Sequence, residues 1–323
     1  MRIHRHWQGL AAADRGASVA MGNFDGVHLG HRAVIAQARR PGAPLGVVTF
    51  EPHPRAFFAP DAPPFRLMNA SARAHRLEKL GVETLYELPF DARLAGLTPE
   101  GFAAEVLAAG LGVAHVVVGA DFRFGKGRAG TATDLRAQGA RLGFDVTIAD
   151  LVAAGGQDVS STAIRAALAE GDPGRAAAML GHWHRIEGPV LHGAKRGRTL
   201  GYPTANMDLS GLHLPRFGVY AVAVDVLDGP HRGSYGGAAS LGVRPMFGDN
   251  RPNLETFLFD FSGDLYGATL SVALLAFLRP EQAFASVEAL VTRMQADCTA
   301  ARAVLADTPP DDTAGTTAPL SFR

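Results

Sequence analysis

Two histidines three residues apart, His28 and His31, close a glycine-rich run, MGNFDGVHLGH (21–31), that contains Gly22, Asn23, Phe24, Asp25 and Gly26. Glycine lets backbone approach a ligand closely, and the unpaired amides at a helix start suit anionic oxygens. A helix beginning near Leu29 or Gly30 would put positions three apart on one side, so both imidazoles can meet one phosphate chain. There they can stabilise charge on a phosphoryl group in transfer and on a departing pyrophosphate. The competing reading is a glycine-rich turn carrying two surface histidines. A metal is poorly served, because no third ligand stands at a useful local spacing. Neither common phosphate fingerprint fits: G-x-G-x-x-G is absent, and GRAGTATD lacks Gly-Lys-Ser/Thr.

Further groups stand in other loops. Ser160, Ser161 and Thr162 open a helical stretch, where hydroxyls can cap the helix or face phosphate, and Arg165 one turn on can pair with an anion. Asp121, Arg123 and Lys126 follow a strand end, where open α/β sheets gather ligands; the plainer reading is an exposed loop. Thr49, His53 and Pro54 occupy another such loop, and His53 taken alone reads nearly as well as part of a rigid Pro-flanked turn. A second glycine-rich and basic stretch, GPVLHGAKRGRTLGYPTANMDL (188–209), includes Gly193, Lys195, Gly197 and Gly201 and ends on Thr204 and Asn206. The i,i+2 spacing turns these two the same way from extended backbone, offering a hydroxyl and an amide oxygen to a magnesium ion that also holds ATP phosphates. In LETFLFDF (254–261), Glu255 shares phase with Phe257, Phe259 and Phe261, and Asp260 takes the other. A carboxylate on an aromatic face needs a partner, a substrate or a sheet edge.

The elements that must carry these groups change character along the chain. Over residues 18–148, apolar runs at 18–21, 46–50, 82–88, 115–119 and 144–148 alternate with helical stretches at 30–40, 71–80, 98–111 and 133–142. That succession predicts a parallel sheet with helical crossovers. Thr98 and Pro99 form a capped start for the third of these helices. Short helices are expected at 162–170 and 175–180. Beyond His182, runs at 219–227, 237–243, 254–261 and 269–278 leave no room for crossover helices and predict a small antiparallel barrel. A closing helix over 280–305 would align Phe284, Val287, Val291, Met294 and Cys298. The tail reads as disordered.

Bulk properties narrow the classes. At 323 residues the chain is long enough for two domains, and 47% apolar content can fill real cores. The 31 basic and 31 acidic residues cancel, which removes any global electrostatic case for a nucleic-acid partner. Only Lys79, Lys126 and Lys195 among the basic residues are lysine, and two of them sit in the glycine-rich loops. A single cysteine, Cys298, excludes an internal disulfide framework and reads as a buried small hydrophobe. No stretch reaches membrane-spanning length, so no membrane partner is expected and a cytoplasmic location is the default. Oligomeric state is not legible.

Four motifs in order, GNFDGVHLGH, TFEPHPRAFF (49–58), VVGADFRFGKGRAG (117–130) and VSSTAIRAAL (159–168), resemble the bacterial bifunctional riboflavin kinase/FMN adenylyltransferase family, also called FAD synthetase. His28-x-Gly-His31 is similar to the nucleotidylyltransferase signature, which implies ATP-phosphate binding there, completed by Ser160, Ser161, Thr162 and Arg165. Thr49, His53 and Pro54 resemble flavin-nucleotide contacts. GRTLGYPTAN, LPRFGVY (214–220), LETFLFDF and DLYGATLSVALLAFLRP (264–280) resemble the family's flavokinase module. That likeness implies Thr204 and Asn206 at magnesium-ATP and Glu255 as catalytic base. The fold implied is a Rossmann-like α/β nucleotidylyltransferase domain with a parallel sheet (1–182), then a small antiparallel β-barrel riboflavin kinase domain with a C-terminal helix (183–307) and a tail (308–323). The implied reactions are riboflavin plus ATP to FMN, then FMN plus ATP to FAD and pyrophosphate. Ala194, Ser240 and Met246 depart from the common pattern of the kinase module. Two alternatives stay open: a monofunctional adenylyltransferase with an impaired kinase barrel, and a flavin or nucleotide sensor without turnover.

Overall fold

The computed structural model describes residues 1–150, 153–154, 157–192, 201–246 and 249–308. Contacts divide the chain into one unit of Met1–Pro63 with Arg73–Val159 and another of Pro64–Ala72 with Ser160–Arg323.

In the first unit the strands are β1 (Arg2–His4), β2 (Ser18–Met21), β3 (Leu45–Glu51), β4 (Thr84–Pro89) and β5 (His115–Gly119), then the two-residue β6 (Arg123–Phe124) and β7 (Gly130–Thr131), and β8 (Asp145–Ala149). The main sheet runs β1-β4-β3-β2-β5-β8 with every pairing parallel. Its central strands are near-continuous apolar runs because both faces are covered; all four residues of β2 are buried. Helices Leu29–Gln37, Ala70–Lys79 and Ala132–Leu142 fall where periodicity places them. From β2 the chain steps outward to β3 and β4, then returns to lay β5 on the other side. The order therefore reverses between β2 and β5, and the loops leaving these strands flank the crevice where open α/β sheets bind ligands. Short β9 (Ala153–Ala154) and β10 (Gln157–Asp158) pair only with each other.

In this unit the first strand and the third helix differ from expectation. β1 escapes a hydrophobicity reading because it holds three residues, two of them basic. Thr98 does cap the third helix, its Oγ1 accepting from the Gly101 amide at 3.1 Å, but after Gly101 the chain winds as a π-helix over Phe102–Leu111. The buried side chains Phe102, Val106, Leu107 and Leu111 stand at i, i+4, i+5 and i+9, a spacing that suits i→i+5 bonding better than an α-helix.

The second unit opens with helices Ser161–Glu170 and Pro173–Leu180. Six strands follow: β11 (Arg185–Pro189), β12 (Ala205–Asp208), β13 (Gly218–Val226), β14 (Gly233–Met246), β15 (Asp249–Leu258) and β16 (Thr269–Arg279). They run β11-β16-β13-β14-β15-β12, all antiparallel, and a bridge between Leu191 and Asn206 draws the two ends together into a nearly closed barrel. Alternation holds: Tyr220, Val222, Val224 and Val226 join Leu254, Leu258, Leu270, Val272 and Leu274 in one core. Residues 64–72 contribute to this unit, the Arg66 carbonyl accepting from the His213 amide at 2.8 Å and the Asn69 amide donating to the Glu187 carbonyl at 2.8 Å.

The closing helix starts later than its apolar spacing predicts, running Val287–Asp307 from a Ser286 cap. Phe284 lies outside it, with the Arg279 guanidinium 5.7 Å from its ring, and Val287 is 54% exposed. The inward stripe is instead Asp297, Cys298, Ala301, Val304 and Leu305, with Asp297 bound by Arg279 at 2.7–3.0 Å. Cys298 is half-buried against the barrel, and burial, then Asp297, pushes its thiol pKa up. The tail beyond Thr308 lies outside the described residues.

Each unit buries a histidine that folding keeps neutral. His115 is held between Ser18 Oγ and Thr147 Oγ1, each at 2.8 Å, and burial lowers its pKa from 6.5 to about 4. Burial, with His213 adding, lowers that of His184 to about 4. Between pH 6.5 and 4 the unfolded chain binds protons at these sites that the folded chain refuses, so stability rises with pH across that window and is lost on acidification. Urea unfolding at pH 5 is expected at lower midpoints than at pH 7 for both units, with His115→Asn flattening the pH dependence of the first. Equal midpoints at the two pH values would contradict this.

Candidate functional site

In the first unit the chain leaves β2 at Met21 and turns through the glycine-rich run with unusual backbone: Phe24 has φ 52°, Gly26 φ 88° and Val27 φ 45°. Phe24 and Val27 are buried, and that packing holds two non-glycine residues in the left-handed region. His28 is the N-cap of the helix Leu29–Gln37, its Nδ1 accepting from the His31 amide at 3.3 Å. With Nδ1 accepting, the neutral ring carries its proton on Nε2 and can donate there. Gly30 has no side chain to block this ring; a Cβ would stand 3.2 Å from it. The His28 and His31 rings stack with centroids 3.6 Å apart, and Phe24 lies 5.1 Å from His31. His31 Nδ1 is buried without a hydrogen-bond partner. Burial, then repulsion from His28, holds the His31 pKa well below 6.5, so this ring is neutral at pH 7.

Neighbouring strand ends bring other expected residues to the same edge of the sheet. Thr49 on β3 is fully buried, its Oγ1 donating to the Asn23 carbonyl at 3.2 Å. His53 caps the short helix Pro54–Phe58, accepting from the Arg55 amide at 3.0 Å, with Pro54 in the first turn. Asp121, Arg123 and Lys126 follow β5 and are exposed, Lys126 in a tight turn over Lys126–Arg128. Asp25 is buried.

Below this loop lies a charge network that sequence reading missed. Arg73, 1% exposed, donates to Glu51 and Glu87 at 3.0 Å each and reaches the Asn23 carbonyl at 3.5 Å; Arg5 also meets Glu87, at 3.2 Å. Asn23 is thus held from beneath by Thr49 and Arg73 together. Removing the guanidinium while leaving the carboxylates strands buried charge, so Arg73→Met is expected to destabilise the first unit by about 3–5 kcal/mol. Urea unfolding checks this, and a loss below about 1 kcal/mol would show the network to be slack.

In the second unit Ser160 caps the helix Ser161–Glu170, accepting from the Ala163 amide at 3.2 Å, while Thr162 is exposed. Arg165 Nε donates to the Phe65 carbonyl at 2.5 Å, and its own carbonyl meets His213 Nε2 at 3.0 Å. Gly193, Lys195, Gly197 and Ala194 lie outside the described residues; Gly201 sits in a turn with φ 83°.

Asn206 on β12 pairs in register with Glu255 on β15, which pairs with Ser240 on β14. Residues directly opposite share a face, so these three form one row across three strands. The inner face of β15 belongs to Leu254, Thr256 and Leu258; Glu255 and Phe257 point outward, with Tyr202 5.1 Å from Phe257. β15 ends at Leu258, but Phe259 still joins Phe257 in one cluster, their rings 5.9 Å apart. Asn206 is buried, its Nδ2 donating to the Thr204 carbonyl at 3.3 Å. Asn253, unnoticed in the sequence although in phase with Glu255, donates to Asn206 Oδ1 at 3.4 Å and to Glu255 Oε1 at 3.3 Å. Among the described residues no group of three His, Cys, Asp or Glu could hold a metal ion.

Residues 10–163 match the family model for FAD synthetase, and residues 180–305 that for riboflavin kinase. A bifunctional riboflavin kinase/FMN adenylyltransferase of Pseudomonas fluorescens is 45% identical over 311 residues, covering 95% of this chain and 98% of the relative. The chain belongs to the bifunctional riboflavin kinase/FMN adenylyltransferase family. A second member, from Escherichia coli K12, is 40% identical over 307 residues, covering 94% of this chain and 97% of its own. A solved structure described as a macrolide-efflux protein from Streptococcus pneumoniae superposes with a TM-score of 0.77 at 32% identity, covering 93% of this chain and 98% of its own. That description is the Streptococcus protein's; no helix among the described residues here is long and apolar enough to cross a membrane. The family's two modules correspond to the parallel sheet with helices and to the antiparallel barrel with its closing helix.

Proposed function

We propose that this chain makes FAD in two ATP-dependent steps, phosphorylating riboflavin in the barrel (183–307) and adenylylating FMN in the α/β domain (1–182). The observation that carries the reading is the row of Asn206 and Glu255 in direct register on the outward face of the barrel strands, in a chain that also stacks His28 on His31 at a helix start. The ribityl hydroxyl of riboflavin is neutral, so its attack on ATP needs a group to orient it and accept its proton; Glu255 fills that role. Thr204 and Asn206 offer hard oxygen donors suited to Mg2+, the second with its amide nitrogen tied back to Thr204 and its oxygen presented. Bound there with ATP, Mg2+ would offset phosphate charge. Gly193, Lys195, Gly197 and Gly201 belong with the ATP phosphates in this reading.

FMN phosphate is anionic at neutral pH and needs alignment and charge neutralisation more than a base. His28 and the neutral His31 ring, with the amides of the Gly22–Gly26 turn, donate to the ATP phosphates. Thr49, His53, Pro54, Asp121, Arg123 and Lys126 border flavin and nucleotide.

Product analysis of the purified chain tests the whole reading. With riboflavin, ATP and Mg2+, FMN and ADP are expected first, then FAD and pyrophosphate. FAD formed only from supplied FMN would leave a monofunctional adenylyltransferase, and binding without any product would leave a sensor.

A further inference from the structure

We propose that Asn253 is a positioning residue for riboflavin phosphorylation, one amide group that sets both the Glu255 carboxylate and the Asn206 amide oxygen. The proposal rests on the roles given above to Glu255 and Asn206. Asn253 is 3% exposed, and a buried primary amide is costly unless its two N–H groups find acceptors. Both go to the site: one to Glu255 Oε1 on its own strand at 3.3 Å, the other to Asn206 Oδ1 on β12 at 3.4 Å.

The second bond decides which end of Asn206 faces the nucleotide. Asn206 Nδ2 donates to the Thr204 carbonyl, so its Oδ1 must meet a donor, and Asn253 supplies it. Turned the other way, the Asn206 NH2 would oppose the Asn253 NH2, two donors face to face, and its oxygen would oppose a carbonyl. The first bond restricts one carboxylate oxygen of Glu255 and so sets how the other is presented. Because one amide serves both, the proton-accepting group and the oxygen ligand are held in register with each other across two strands.

Asn253→Ala and the shape-matched Asn253→Asp, which has no N–H to donate, test this in the full chain. Each is expected to lower kcat for riboflavin phosphorylation about 10–100-fold. Each is also expected to weaken binding of Mg-ADP about tenfold by calorimetry, a readout independent of turnover. Circular dichroism and urea unfolding of the same preparations report whether the barrel is folded. Groups that act as one unit are not additive, so adding Asn253→Ala to Glu255→Gln should cost less than about twofold further in kcat, and adding it to Asn206→Ala less than about twofold further in Mg-ADP affinity. Wild-type kcat and Mg-ADP affinity in both variants would overturn the proposal. So would losses that multiply fully with those of Glu255→Gln and Asn206→Ala, the behaviour of a residue that merely packs. Full phosphorylation by Glu255→Gln alone would instead remove the assignment of Glu255, and this proposal with it.

Discussion

Glu255→Gln is expected to cut riboflavin phosphorylation by about 10²–10⁴-fold, the usual worth of a positioned general base. Glutamine keeps the size of the side chain and an oxygen able to accept from Asn253, so the row with Asn206 and Ser240 should survive. What it loses is the capacity to take the hydroxyl proton. FMN adenylylation by the same protein should continue at the wild-type rate, because His28 and His31, the groups proposed for that step, stand in the other unit. A stopped assay with riboflavin in one arm and FMN in the other separates the two. Undiminished phosphorylation would sink the role of Glu255, and an equal fall of both activities in a folded variant would sink the division of labour.

Replacing either stacked histidine is expected to slow FAD formation from FMN by about 10²–10³-fold, the cost of one preorganised donor to developing charge. Riboflavin phosphorylation should be spared. His28 needs care, because its Nδ1 also caps the helix, and losing a cap costs about 1 kcal/mol on its own. His28→Asn separates the two roles, since asparagine caps well and brings no imidazole. The account predicts that His28→Asn matches His28→Ala in rate but retains more of the wild-type stability. Recovery of the rate by asparagine would mean that His28 serves the fold alone.

The central architecture is legible because its signals are physical and local. Val19, Ala20 and Met21 of β2 are apolar without alternation, as in a strand covered on both faces, and the glycine turn and helix start after it follow from residue type. Glu255 stood out as a carboxylate in an aromatic phase. The same reasoning applied to Glu87, buried within β4, would have called for an internal cation, and Arg73 answers it from a helix whose other inward residues are Ala72, Ala74 and Leu77. Asn253 also shares phase with Glu255, but amides are common at strand ends and its meaning appears only when β12 is laid beside β15. No periodicity reports that residues 64–72 pair with the second unit, since Arg66 and Asn69 do so through backbone groups and a single amide. The start of the closing helix is not legible from spacing, because Phe284 keeps helical spacing while packing against the Arg279 guanidinium from a non-helical segment.

The claim of two reactions with different phosphorus chemistry can be tested by following the phosphorus. The chain, given riboflavin, Mg2+ and ATP labelled on the γ-phosphate, should place label first in FMN and then in FAD. With ATP labelled on the α-phosphate, FAD alone should carry label while FMN stays cold. Absence of γ-label from every flavin, with α-label reaching FAD only when FMN is supplied, would contradict the account.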